Sequence, residues 1–178
     1  QALEKLWPVY GIDFEAKQLD LDSLFKRSAA IILEVGFGNG DSLFHQALSN
    51  PNNDYIGIEV HRPGVGHLLH LAGDAGITNL RVINHDAVEV LQKQIPDHSL
   101  DCVQLFFPDP WHKKRHHKRR IVKAEFIRLV CQKLKPGGLF HLATDWQDYA
   151  EHMLAEMEQA KGFSNTSGKG NYAENTDR

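Results

Sequence analysis

Cysteine is scarce in this chain, with two in 178 residues: Cys102 in an apolar run and Cys131 in a helical pattern. They stand singly, without the spacing of metal ligands, and read as buried free thiols of a reducing compartment, taken here as cytoplasmic. No metal site is expected. No apolar run approaches the roughly 18 residues that a membrane-spanning helix needs, so no membrane partner is expected either. No signal peptide opens the chain, which begins on Gln1 without a Met, and an upstream segment is expected. Internal repeats and long linkers are absent. An excess of positive charge is missing too: the net charge is −3, so the overall balance does not mark a nucleic-acid binder. What remains is the length of one ordinary domain, 1–178, with a soluble globular composition.

From position 31 onward, apolar runs alternate with helical patterns. Strands are predicted over 31–35, 55–60, 80–84, 100–107 and 139–144. Helices are predicted over 41–49, about 64–73, 87–94, 122–134 and 147–161. The helix over 122–134 carries an apolar stripe of Val122, Phe126, Leu129, Val130 and Leu134 at a period of 3.6. Lys135-Pro136-Gly137-Gly138 reads as a stop and turn. Strand, helix, strand in repetition implies an α/β fold with a mostly parallel, doubly wound sheet. Residues 1–30 read as an N-terminal cover, and 162–178, polar and rich in Gly, Asn and Ser, as a flexible end. Sheets of this kind bind ligands at the carboxyl ends of their strands, so the chemistry is sought in the outgoing loops.

The first such loop is Glu34-Val35-Gly36-Phe37-Gly38-Asn39-Gly40. Glycines at alternate positions permit a tight turn and close approach to a ligand. In a dinucleotide fingerprint the third glycine would come one residue later, and a pyrophosphate would sit on the helix that follows. Here Asp41 stands at that point and would repel phosphate. Carboxylates around a glycine turn suit instead a cofactor with an ammonium and a sulfonium, as S-adenosylmethionine has. A tight strand–helix connection is the plain alternative. The second strand ends at Glu59, suited to two ribose hydroxyls. The third is followed by Asn84-His85-Asp86-Ala87, where Asp86 can accept from an adenine amino group or cap the next helix. Three acids at three consecutive strand ends are harder to obtain by chance than one.

The fourth strand ends in Phe106-Phe107-Pro108-Asp109-Pro110-Trp111. Two prolines hold Asp109 in a narrow backbone range, and the Trp can stack on a base. A rigid turn with a core Trp would explain the same residues. Six of the eight residues at 113–120 are Lys or Arg: Lys113, Lys114, Arg115, Lys118, Arg119 and Arg120, with His116 and His117 between them. Charge runs are usually solvated faces, but this one borders the ligand side of the sheet, which favours phosphate binding. His112 and His116 have i,i+4 spacing, yet no carboxylate or cysteine completes a metal set. The fifth strand ends in Ala143-Thr144-Asp145-Trp146, another acid beside an aromatic, or else a helix cap.

Taken together, these residues resemble the bacterial tRNA (guanine-N7-)-methyltransferase family. The resemblance covers nearly the whole chain and rests on L-E-V-G-F-G-N-G, G-I-E-V-H, N-H-D-A, F-F-P-D-P-W-H-K-K-R-H-H-K-R-R and A-T-D-W. It implies a Rossmann-like S-adenosylmethionine-dependent methyltransferase fold acting on tRNA at guanine N7, in the variable loop. It also implies cofactor contacts at Glu34, Glu59, Asp86 and Asp109, beside Gly36, Gly38 and Gly40, with Asp109 catalytic. Lys113 and Asp145 match substrate-binding positions, and Arg115, His116, His117, Lys118, Arg119 and Arg120 the RNA-contacting run. A monomer or homodimer is expected. The family has a basic segment ahead of this start and a T-K-F-E segment after Arg178, and both are expected in a longer protein. Sheets of this class have seven strands, the last two antiparallel, and a sixth is sought near Phe163.

Guanine N7 carries an in-plane lone pair and loses no proton on methylation, so positioning rather than a general base should dominate catalysis. A nicotinamide oxidoreductase is disfavoured by the glycine spacing and Asp41. Two further readings compete: methylation of an exocyclic amine, and a non-catalytic RNA-binding module on the same fold. If the basic run binds phosphates, neutralising Lys113, Arg115, Lys118, Arg119 and Arg120 weakens tRNA binding and spares cofactor affinity. With about four phosphate contacts, the run alone contributes roughly 3 to 4 to the slope of log affinity against log salt. A salt titration checks this, and a wild-type slope in the neutralised variant would mark the run as a solvated face.

Overall fold

In the computed structural model, which describes residues 2–174, the buried apolar runs become the strands of one sheet. The elements in chain order are α1 (Ala2–Tyr10), β1 (Gly11–Ile12), α2 (Leu21–Phe25), β2 (Ile31–Val35), α3 (Asp41–Ser49), β3 (Asp54–Ile58), α4 (Arg62–Ala75), β4 (Leu80–Ile83), α5 (Ala87–Lys93) and β5 (Leu100–Phe106). A 3-10 helix (Lys114–Arg119), α6 (Ala124–Lys133), β6 (Leu134–Ala143) and α7 (Gln147–Gln159) follow. The strands lie in the order β1-β4-β3-β2-β5-β6 and every neighbouring pair is parallel. β2 and β3 are buried along their whole length, as strands covered on both faces must be.

Alternate residues of the strands feed two cores. Ile32 and Tyr55 pack with Leu43, Phe44, Leu68 and Leu69 of α3 and α4 on one face. Leu33 and Ile56 pack with Val90, Phe126, Val130 and Tyr149 of α5, α6 and α7 on the other. The chain therefore leaves β2 toward one face and β5 toward the other. Those two strands are neighbours, so the topological switch point lies between their carboxyl ends.

Three expectations need correction. The N-terminal cover carries a strand of its own: β1 adds to the β4 edge, Gly11 beside Val82 and Ile12 beside Ile83. The Tyr10 hydroxyl ties this segment to α4 and the turn after it, bonding the carbonyls of Ala72 at 3.1 Å and Ile77 at 2.8 Å. Lys135-Pro136-Gly137-Gly138 does not end the helix and precede the strand; it lies inside β6. Leu134 pairs with Leu100, the register shifts, and pairing resumes at Leu139 and Cys102, with Gly137 at a φ of 81° absorbing the extra length. No strand forms near Phe163 among the described residues. That ring packs against Phe140 at 5.9 Å between centroids, and the polar segment after it runs in turns. The last four residues of the tail expected to be flexible lie outside the described residues.

The helix α4 has a proline in its first turn and ends on the left-handed Gly76. Its start is set against the glycine turn after β2. A Cβ on Gly64 would sit 2.0 Å from the carbonyl oxygen of Gly38, whereas one on Gly66 would meet only Leu3 Cδ1 at 3.9 Å. Both glycines weaken a helix relative to alanine by about 0.5–1 kcal/mol. Gly66→Ala should therefore stabilise the protein by up to that amount, while Gly64→Ala, with no room for its methyl, should destabilise by about 1–3 kcal/mol. Denaturant midpoints of the two variants check this, and equal shifts would contradict the close approach.

Candidate active site

The outgoing end of β2 begins with Glu34, 3% exposed, in register with Gly57 of β3 and Gln104 of β5. Gly36, Gly38 and Gly40 then take φ values of 69°, 64° and 84°, which only glycine adopts readily. Gly36 N–H bonds the Ile58 carbonyl at 2.8 Å, and the turn folds back over the end of β3. There Glu59 follows the strand directly. Its Oε2 accepts from Gly38 N at 2.8 Å, and its Oε1 accepts from Val60 N at 2.8 Å and His61 N at 3.0 Å. A carboxylate oxygen accepts about two hydrogen bonds. Oε1 is thus filled, and Oε2 keeps one acceptor position for a hydroxyl.

Asp86 is exposed and begins α5, where its Oδ1 accepts from Glu89 N at 3.0 Å. The capping role is therefore realised, and Oδ2 is still available to a ligand. Beside it, His85 stacks flat on Phe14 at 3.7 Å and pairs with Glu89, which it holds below the ordinary carboxylate range. Phe14 comes from the N-terminal cover, and nothing in its local sequence marks it as facing this end of the sheet.

The loop after β5 is strained at two bulky residues. Phe107, 59% exposed, has a φ of 51°, and Trp111 has a φ of 44°. Such conformations cost on the order of 1–3 kcal/mol each and cluster at working sites. Phe107 N is held by the Ala143 carbonyl at 2.8 Å and Trp111 N by Asp109 Oδ1 at 3.1 Å. A cavity of about 210 Å³ opens here, lined among others by Val35, Gly36, Leu105, Asp109, Trp111 and Arg119. It sits at the switch point, and it joins the β2 turn to the Asp109 loop.

The basic run forms the 3-10 helix that follows this loop, and of its residues Arg119 lines the cavity. Lys113, Lys114, Arg115, Lys118 and Arg119 are exposed. Arg119 lies over the Trp111 ring at 4.9 Å, and His116 meets the same ring edge-on at 5.9 Å. His112 packs instead on Trp146, at 4.2 Å, so the two histidines serve different aromatics. Trp146 is 41% exposed and stands at the end of β6 beside the exposed Asp145. Among the described residues, no three His, Cys, Asp or Glu gather as metal ligands. Cys102 and Cys131 are free but half-buried rather than fully buried as expected, and partial burial pushes the Cys102 thiol up to about 11.

Arg120 departs from the reading of this run as a uniform RNA contact. It is 1% exposed, with Nε donating to the Pro110 carbonyl at 2.7 Å and one terminal nitrogen to Asp148 Oδ2 at 2.5 Å. The guanidinium holds the Asp148 carboxyl below its ordinary range, with smaller contributions from His117 and His152. That stabilisation is present above the ordinary carboxylate pKa and is lost as pH falls below it.

The strand ends therefore bring Glu34, Glu59, Asp86 and Asp109 to one edge of the sheet, with Lys113 and Asp145 on the β5–β6 side. A larger concavity of about 650 Å³ lies at the opposite edge, against Asp20, Asp22, Ser99 and Lys135, where none of these residues stands. Solved structures share this architecture. A precorrin-6y C5,15-methyltransferase from Geobacter metallireducens is 18% identical with a TM-score of 0.58, over 76% of this chain and 66% of that one. A SAM-dependent O-methyltransferase from Thermotoga maritima is 16% identical with a TM-score of 0.56, over 77% and 46%. The fold is that of the S-adenosylmethionine-dependent methyltransferases.

The family model described as "Putative methyltransferase" matches residues 28–178. Among curated relatives, the tRNA (guanine-N(7)-)-methyltransferase of Aeromonas hydrophila is 59% identical over 99% of this chain and 75% of its own length. That of Yersinia enterocolitica is 57% identical, over 99% and 74%. The chain belongs to the tRNA (guanine-N(7)-)-methyltransferase family.

Proposed function

We propose that this chain transfers a methyl group from S-adenosylmethionine to N7 of a guanine in tRNA, with the cofactor on the β2–β4 ends and the guanine between the β5 and β6 ends. The observation that carries this reading is the switch-point cavity, which places the glycine turn, Asp109 and Arg119 against one another. The residues present fit the cofactor. The turn from Gly36 to Gly40 leaves open space above Gly36 and Gly38, where an added Cβ would meet nothing within 4 Å. Glu34 offers a buried carboxylate to the cationic end, Glu59 Oε2 its remaining acceptor position to the ribose, and Asp86 Oδ2 an acceptor to the adenine amino group. The Phe14–His85 stack walls the adenine side.

When bound, S-adenosylmethionine supplies an electrophilic sulfonium methyl, to which the N7 lone pair bonds as the methyl–sulfur bond breaks. N7 loses no proton, so the chain supplies placement rather than a general base. Asp109 and Asp145, on adjacent strand ends, present carboxylates to the N1–H and N2 amino donors of the guanine edge. Asp109 lines the cavity itself, and its proline-bracketed turn keeps the carboxylate there. Trp111 and Trp146 give faces on which bases can stack, a contact worth about 1–3 kcal/mol per base. Lys113, Arg115, Lys118 and Arg119 draw the phosphate backbone over the mouth.

Nucleoside analysis of tRNA incubated with the protein and labelled cofactor should yield 7-methylguanosine. Asp109→Ala should lower turnover by about 100-fold or more, the scale of a lost positioning contact, while cofactor affinity changes less. A product methylated elsewhere, or near-wild-type turnover in the variant, would refute the reading.

A further inference from the structure

We propose that Arg120 is a positioning residue that sets the distance between the two substrate-side loops, and that it makes no contact to RNA phosphate. The inference rests on the assignment of Asp109 and Asp145 to the guanine. Arg120 closes a run of cations whose other Lys and Arg members are exposed, yet its own side chain is 1% exposed. Burying a charge is costly unless it is paired and hydrogen-bonded. Here the pairing is specific. Nε donates to the carbonyl of Pro110, the residue after Asp109, at 2.7 Å. Proline offers no N–H, so its carbonyl is the one backbone group by which that residue can be hydrogen-bonded. A terminal nitrogen donates to Asp148 Oδ2 at 2.5 Å, in the first turn of α7 and three residues beyond Asp145.

The guanidinium also lies over the Tyr149 ring at 4.7 Å, and Tyr149 is fully buried. The Tyr149 hydroxyl accepts from Val122 N at 3.4 Å, and His152 donates to the Val122 carbonyl at 2.7 Å, so the chain just after Arg120 is fixed to α7. One planar fork thus spans the β5 and β6 loops. A lysine ammonium, a point donor on a flexible stem, does not reproduce two bonds in these fixed directions. Because Asp148 neutralises Arg120, the free positive charge of the run comes from the five exposed cations before it. The phosphate-binding face and the Asp109 loop are joined through Arg120 into one unit.

The test measures single-turnover methyl transfer at saturating cofactor and tRNA, alongside the salt dependence of tRNA affinity, for Arg120→Lys, Arg120→Gln, Arg115→Gln and Asp148→Ala. Arg120→Lys should slow the chemical step by about tenfold to 100-fold, since a displacement of about 1 Å costs that much, and Arg120→Gln, which removes the charge, should leave the salt slope as in wild type. Arg115→Gln should lower the slope by about 0.9. Asp148 is 55% exposed, so Asp148→Ala tests the clamp even where Arg120→Lys does not fold; it should slow the step by about tenfold. A slope reduced by about one unit in Arg120→Gln, or a rate within about twofold of wild type in a folded clamp variant, overturns the proposal. A wild-type protein that makes no 7-methylguanosine refutes the functional reading instead.

Discussion

Residue Glu59 knits together the outgoing ends of three strands, and the candidate site depends on it. Its carboxylate holds the Gly38 amide of the β2 turn and the Val60 and His61 amides of its own loop. Its backbone N–H bonds the Ile83 carbonyl at 3.1 Å, and its carbonyl accepts from Asn84 Nδ2 at 2.7 Å. Gly36 N–H and Gly40 N–H find backbone carbonyls, and Glu59 supplies the partner of the Gly38 amide between them. With Glu59 in place, and with Gly64 letting α4 come within van der Waals range of Gly38, the turn is fixed against β3 and β4. Preorganisation of this kind lets a ligand bind without first ordering the loop.

The switch point divides the sheet into two working halves. On the proposed assignment, β2, β3 and β4 end in acids that face a cationic, sugar-bearing cofactor, and β5 and β6 end in acids flanked by aromatics that face a base. The two halves are built differently. The cofactor side is held by backbone amides and glycine conformations, while the substrate side is held by strained bulky residues and by the buried Arg120 paired with the more exposed Asp148. Strain at Phe107 and Trp111 is tolerable because β5–β6 pairing and the Asp109 turn hold both residues.

Much of the fold was legible because strands covered on both faces leave continuous apolar runs, and amphipathic helices leave a 3.6-residue stripe. α3 was placed to the residue, since Gly40 and Asn50 bracket it. β1 was not legible: two residues carry no period, and their pairing comes from Tyr10 reaching α4. The start of β6 was hidden because Pro136 and Gly137 signal a turn whether they end an element or bulge within one. The acids of the site could be found in sequence, being isolated carboxylates at strand ends. Arg120 could not be separated from Arg119, since burial of one cation in a charge run is decided by Asp148, 28 residues away. Asp86 satisfied two readings at once, because one carboxylate oxygen caps a helix and leaves the other available.

The central claim is that the ends of β2, β3 and β4 form the cofactor site. The most direct measurement is amide chemical-shift mapping of the protein on titration with S-adenosylhomocysteine. The account predicts the largest changes at Gly36, Gly38, Gly40, Glu59 and Asp86, with Asp20, Asp22 and Ser99 at the opposite edge of the sheet unmoved. Changes centred on that opposite edge, with Gly38 and Asp86 unaffected, would contradict it.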